Sequence, residues 1–340
     1  MNPAKNSPAT SRKIAHFHVQ PVGLGCMNLD HAYGPSVSPE QGERVLLGAL
    51  DAGYNFFDTA TLYGFGKNED RLGQVLAKHR SQFVLASKCG MGGVTADGVT
   101  RRVIDGRPAT IKQQCEDSLR RLKTEVIDLY YLHRWDKKVP IEESVGALGD
   151  LVRQGKVQAV GLSEVSATTL RKAHAEHPIA AVQTEYSLWT RDAEVAVLHA
   201  CQELGTAFVA FSPVARGYLC GLRDLSGLDA KDIRRGMPRF NAYNYAANLT
   251  LAVAYETIAK EHGCTPAQLA LAWLLHKAQH IIPIPGTTNA DHMRDNIAAR
   301  EISLSDVTMQ QLDALINQRT VVGARYDLQS QSEVDTEIFE

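Results

Sequence analysis

The chain of 340 residues has no apolar run approaching the roughly 20 residues that a membrane span needs. Its start, from Met1 to Lys13, is polar, is interrupted by Pro3 and Pro8, and lacks the apolar stretch of a secretory leader. The chain is therefore expected to stay in the cytoplasm. Cysteine is sparse. Cys26, Cys89, Cys115, Cys201, Cys220 and Cys264 form no C-x-x-C pair and have no histidine at zinc-like spacing, so neither a metal site nor a disulfide framework is expected. An excess of one charge is also missing, because 36 Lys and Arg stand against 38 Asp and Glu for a formal charge of -2. That balance argues against a nucleic-acid groove or a polybasic membrane face, and leaves a small molecule as the expected partner. Oligomeric state is left open, with a monomer favoured. No G-x-G-x-x-G follows the first apolar run. The run Cys89-Gly90-Met91-Gly92-Gly93 lacks the Gly-Lys-Ser/Thr ending of a P-loop and reads as a flexible turn after a strand.

What the chain does have is 44% hydrophobic residues, enough for a sizeable core, and a strong rhythm. Short apolar runs rich in β-branched and aromatic residues recur at Pro21–Cys26, Asn55–Ala60, Phe83–Cys89, Ile127–His133, Val157–Ser163, Ala181–Ser187, Thr206–Pro213 and Ile281–Thr287. Between them lie stretches with helical spacing, among them Pro39–Ala52, Thr110–Arg121, Pro140–Gln154, Ala167–Glu176 and Asp192–Leu204. Strand alternating with helix predicts a parallel sheet, and eight such units predict a single α/β domain, a (β/α)8 TIM barrel spanning residues 16–319. Residues 216–247, rich in Gly, Pro, Arg and aromatics, read as a lid loop over the strand ends. Residues 1–15 are expected to be a flexible tail. Residues 320–340 have no clear period and are expected to be irregular or disordered.

In a parallel barrel the active site forms at the C-terminal ends of the strands. The polar residues closing the apolar runs are therefore the candidates: Asp58, Tyr63 five residues later, Lys88 and His133. Singly, each has a plain structural reading as a loop cap, a rim aromatic, a solvated lysine or a core histidine. Together they make chemical sense for carbonyl reduction. A phenol with a pKa of about 10 donates a proton well, and a neighbouring cation is needed to stabilise its phenolate. Lys88 would be that cation, Asp58 would hold it, and His133 would orient the carbonyl oxygen. Nothing in this set is a nucleophile with its own base, as acyl transfer would require.

On these residues the chain resembles the aldo-keto reductase superfamily. The match runs from Val22-Gly23-Leu24-Gly25-Cys26-Met27 to the helix after Ser305, and includes Asp58-Thr59-Ala60-x-x-Tyr63-Gly64, Ser87-Lys88 and Leu132-His133. The resemblance implies hydride exchange between a nicotinamide and an aldehyde, ketone or alcohol, with Asp58, Tyr63, Lys88 and His133 catalytic. It places Gly25, Cys26 and Met27 against the cofactor, Ser163, Glu164 and Gln183 at its carboxamide, and Phe211 stacked on its ring. Ser212, Pro213, Val214, Arg216 and Gly217 correspond to the pyrophosphate loop. Ile284, Pro285, Gly286, Thr287, Asn289, His292, Asp295 and Asn296 correspond to the adenosine end.

Elementary chemistry agrees in part: Ser163 and Gln183 carry the donors and acceptors a carboxamide needs, and Arg216 with the Gly217 backbone suits a pyrophosphate. Two positions depart from the pattern. Glu164 stands where many relatives have Asn, and no Lys or Arg follows Gly286-Thr287. NADPH is still the favoured cofactor, with NADH accepted and only modestly disfavoured. Tyr33, Trp135 and Phe240 are expected to form an aromatic substrate wall beside Tyr63 and His133. Two other functions fit the same residues: a lyase forming a Schiff base on Lys88, and a cofactor-binding regulatory subunit that senses redox state with little turnover.

Overall fold

The structure, a computed structural model, describes residues 11–339. Within them lie β1 (Arg12–Ile14), β2 (Phe17–Val19), β3 (Leu24–Gly25), β4 (Phe56–Asp58), β5 (Val84–Cys89), β6 (Met91–Ala96) and β7 (Val99–Ile104). They are followed by β8 (Ile127–Leu132), β9 (Val157–Ser163), β10 (Ile179–Glu185), β11 (Ala207–Phe211) and β12 (Ile281–Pro283). The order β12-β11-β10-β9-β8-β5-β4-β3 is parallel throughout. A parallel bridge between Gly25 and Gly286, with bonds from the Gly23 and Gly25 amides to the carbonyls of Pro283 and Pro285, joins the first strand to the last. The eight apolar runs of the sequence are these eight strands, and the sheet closes as a (β/α)8 barrel.

Alternating strand side chains feed two cores. Phe56, Ala86, Leu129, Tyr131, Ala181 and Val209 fill the barrel, while Phe57, Leu85, Tyr130, Val160 and Phe208 face the surrounding helices. Those helices are α1 (Pro39–Asp51), α2 (Lys67–Leu76), α3 (Pro108–Leu122), α4 (Ile141–Arg153), α5 (Ala167–Glu176) and α6 (Val197–Leu204), then α7 (Ala242–Glu261), α8 (Pro266–Lys277), α9 (Ala290–Ala298), α10 (Asp306–Leu315) and α11 (Leu328–Ser332). Their starts carry local signals: Ser38 caps α1 ahead of Pro39, and Thr265 with Gln268 forms a capping box on α8. No helix among the described residues is long and apolar enough to cross a membrane.

Four expectations are corrected. Of the supposed flexible start, residues 1–10 lie outside the described residues, but Arg12–Ile14 pairs with Phe17–Val19 as a hairpin. Ile14 and Val19 plug the base of the barrel core, and the buried Arg12 guanidinium donates to the carbonyls of Leu275 (2.8 Å) and Ala278 (2.7 Å). The run Cys89–Gly93 is no loose turn, because Met91 to Ala96 pairs with Val99 to Ile104. The turn between them is Asp97-Gly98, both at positive φ (51° and 73°), the geometry a two-residue hairpin prefers.

The lid is also shorter and more ordered than expected. Short 3-10 segments at Ala215–Cys220, kinked at Arg216 and Gly217, and at Ile233–Gly236 and Pro238–Phe240 precede α7, whose cap is Asn241. Finally, the segment after Thr320 is ordered and crosses the barrel mouth. Lys137 donates to the carbonyls of Ser332 (3.0 Å) and Val334 (2.7 Å), and the carboxylates of Asp335 and Glu337 accept from the amides of Ser166 and Ala167 at the start of α5. Negative side chains there are favoured by the exposed amides of a helix start.

Candidate active site

Three adjacent strands bring four polar groups to one point. Asp58 ends β4, Lys88 lies near the end of β5, and His133 follows β8. Tyr63 sits on the loop after β4, where Gly64, Phe65 and Gly66 all take positive φ before α2 begins. Glycine tolerates that conformation, so the chain turns sharply enough to point Tyr63 back over the barrel.

Lys88 is fully buried. Its Nζ donates to Asp58 Oδ1 (2.5 Å), to the Thr59 carbonyl (2.8 Å) and to Tyr63 Oη (3.1 Å). The other Asp58 oxygen accepts from Gln183 Nε2 at 2.7 Å. Burial works against the ammonium, but the charge of Asp58 and the Tyr63 oxygen outweigh it, so the Lys88 pKa is raised. Burial also raises the Tyr63 pKa, with the Lys88 charge opposing it. His133 meets Tyr63 edge to face at 5.9 Å between ring centres. Burial, reinforced by Lys88 and Arg134, holds His133 well below the usual histidine range, so its ring is neutral. Its Nδ1 is buried without a partner among the described residues. The group therefore consists of a buried cation, a protonated phenol and a neutral imidazole.

Above it opens a cavity of about 570 Å³. Gly25, Met27, Asp58, Tyr63, His133, Ser163, Gln183 and Phe211 line it, as do Ser212, Pro213, Val214, Arg216 and Gly217 from the loop after β11. Ile284 and Gly286 close its far wall, and Tyr33 is the one member of the expected aromatic wall that reaches it. The donor set suits a nicotinamide: an aromatic ring at Phe211 with a serine and a glutamine side chain nearby, and a loop whose residues Ser212, Ala215, Arg216 and Gly217 all take positive φ.

Other expected residues lie elsewhere. Cys26 is buried, with its Sγ bonded to the Leu24 carbonyl, and burial raises its pKa. Glu164 faces away from the cavity into a buried ion pair with Arg325 (2.7 Å) and accepts the Glu185 amide. Arg216 lines the cavity, but its guanidinium is committed to Glu185 at 2.7 Å, which leaves the loop backbone facing the cavity. Trp135 lines a separate shallow pocket and donates to the Val139 carbonyl, while Phe240 packs against Tyr245 and Trp189. Pro285 forms the barrel seam. Thr287 accepts the Asn289 amide, Asn289 caps α9, and Asp295 gives its carbonyl to Gln268. His292 is exposed, Asn296 is buried, and neither reaches the cavity.

Sequence reasoning missed several wall residues. His31, whose ring stacks 5.8 Å from Tyr63, belongs to a loop with no motif. Arg134 directly follows His133 and could have been read as a strand-end residue. Arg102 arrives on the β6–β7 hairpin and Arg234 on the lid; Tyr326, Asp327, Ser330, Glu333 and Val334 come from the C-terminal strap.

The sequence profile of the Aldo/keto reductase family matches residues 21–317. The chain belongs to that family. It is 41% identical over 311 residues to probable aldo-keto reductase 1 of Glycine max, covering 91% of this chain and 89% of that protein. It is 38% identical over 322 residues to a Schizosaccharomyces pombe aldo-keto reductase whose name includes NADP(+), covering 93% and 94%. Among solved structures, a glycerol dehydrogenase from Gluconobacter oxydans superposes with a TM-score of 0.83 at 27% identity, over 96% of this chain and 99% of that one. A Klebsiella pneumoniae aldo/keto reductase solved with NADP and acetate gives 0.71 at 27% identity, over 94% and 99%.

Proposed function

We propose that this protein reduces an aldehyde or ketone to an alcohol with NADPH, and runs the reverse oxidation, with Tyr63 as the proton donor. The observation that carries this reading is the buried Lys88 Nζ held between Asp58 Oδ1 and Tyr63 Oη. When bound, the reduced nicotinamide supplies the hydride. Ser163 and Gln183 would hold its carboxamide, Phe211 would cover its ring, and the backbone from Ser212 to Gly217 would take its phosphates. His133, neutral by burial, donates to the substrate oxygen and orients the carbonyl. Tyr63 gives its proton to that oxygen as negative charge builds, and the Lys88 ammonium stabilises the phenolate left behind. Asp58 keeps the ammonium charged and in place. In oxidation the same phenolate takes the proton back from the alcohol.

The Schiff-base alternative is disfavoured. A lysine nucleophile must be neutral, whereas Lys88 has an oxygen acceptor for each of its three N–H bonds and a raised pKa. A panel of aldehydes, ketones and quinones with NADPH and NADH side by side tests the reading. Turnover of several carbonyls with NADPH supports it, and tight cofactor binding with no turnover across the panel points to the regulatory alternative.

A further inference from the structure

We propose that Arg134 selects the substrate, and that the substrate class is a carbonyl compound carrying a carboxylate. This deepens the reductase reading and rests on it. Four arginines line the cavity: Arg102, Arg134, Arg216 and Arg234. Three are paired, Arg102 with Glu333 (2.6 Å), Arg216 with Glu185 (2.7 Å) and Arg234 with Asp232 (2.7 Å). The carboxylates lining the cavity are also committed: Asp58 to Lys88, Glu333 to Arg102, and Asp327 to the first turn of α11. Among the described residues, Arg134 is the cavity arginine without a carboxylate.

Its hydrogen bonds to the described residues both leave from Nη1, to the His133 carbonyl (2.7 Å) and Ser163 Oγ (3.1 Å). Those two bonds hold the guanidinium, and the edge formed by Nε and Nη2 is left for a ligand. That edge is a planar pair of donors matched to the two oxygens of a carboxylate. A half-buried cation without a counter-ion is costly, and an anionic ligand offsets the cost. The histidines cannot serve instead, because burial lowers the pKa of both His31 and His133 and keeps them neutral.

The position also identifies the anion. Arg134 follows His133 and touches Ser163, and its charge acts on both His133 and Tyr63, so it lies at the reacting end of the cavity. The loop proposed for the cofactor phosphates, Ser212 to Gly217, belongs to a different strand end. The anion that meets Arg134 is therefore on the substrate, within a few atoms of the carbonyl that Tyr63 protonates.

The test compares succinic semialdehyde and phenylglyoxylate with their methyl esters, using NADPH. Wild type is expected to prefer each acid over its ester in kcat/KM by about tenfold or more. Arg134→Gln is expected to abolish that preference through KM, and Arg134→Lys to retain part of it. Because the ratio is taken within one protein, general damage from a disturbed Ser163 cancels. Equal use of acid and ester by wild type, or a ratio unchanged in Arg134→Gln, overturns the proposal and leaves the reductase reading intact. Failure to reduce any carbonyl, acidic or neutral, with either cofactor overturns the reductase reading and this proposal with it.

Discussion

Lys88 has three N–H donors and meets three oxygen acceptors in the protein interior, which is the arrangement a buried ammonium needs to remain charged. The role proposed for it follows from that charge. Lys88→Met should lower turnover by about 10²–10⁴ and raise the apparent pKa seen in alcohol oxidation, since the phenolate loses its cation. An unchanged pH profile with substantial activity would contradict the pairing. The pH dependence of reduction has a fixed sign. Tyr63, raised by burial, keeps its proton through neutrality, and His133, lowered by burial, does not gain one. Reduction should therefore be flat from about pH 6 to pH 9. An acid limb near the ordinary histidine value would mean that His133 titrates.

The Asp58, Tyr63, Lys88 and His133 set was legible in the sequence because each residue closes a strand or its loop, and strand ends in a parallel barrel converge. Arg216 and Glu164 were not, because their partners, Glu185 and Arg325, are distant in the chain and the pairing exists only in three dimensions.

At the scale of elements, the β/α rhythm announced all eight barrel strands, and Asp97-Gly98 carried a hairpin signal in the chain. The C-terminal strap carried no such signal. Its docking depends on isolated contacts without a period, chiefly Arg325 between Glu164 and Glu185. Arg325→Leu should leave two buried carboxylates underneutralised and cost about 3–5 kcal/mol of stability, with weaker cofactor binding because Glu164 adjoins Ser163. Thermal unfolding and cofactor titration check this, and a wild-type melting curve would sink it.

Glu185 adds a pH signature. Burial alone would raise its pKa, but Arg216 and Arg325 bring it down to about 2 from 4.5. A depressed folded value means that its contribution is complete above pH 4.5 and fades as pH falls toward 2. Denaturation curves across that window should fall more steeply for wild type than for Glu185→Gln. Parallel slopes would show that the cluster does not titrate as described.

At the scale of the whole molecule, a closed barrel plugged at its base by the β1–β2 hairpin leaves one end for chemistry, and the lid and the strap narrow that end. The side proposed for the adenosine is the least specified part. His292 is exposed at the start of α9, and Arg294 is paired with Asp291. With no fixed cation following Thr287, preference for NADPH over NADH should be modest, and Thr288→Arg should tighten NADPH selectively. Dissociation constants for both cofactors decide this, and a large wild-type ratio unaffected by Thr288→Arg would contradict it.

We propose that Tyr63 delivers the proton in a nicotinamide-dependent carbonyl reduction. This is tested most directly by following aldehyde-dependent NADPH oxidation in wild type and Tyr63→Phe, with NADPH binding measured on both. Equal binding and a loss of about 10²–10⁴ in turnover are expected for the variant. Near-normal turnover by Tyr63→Phe would contradict the proposal.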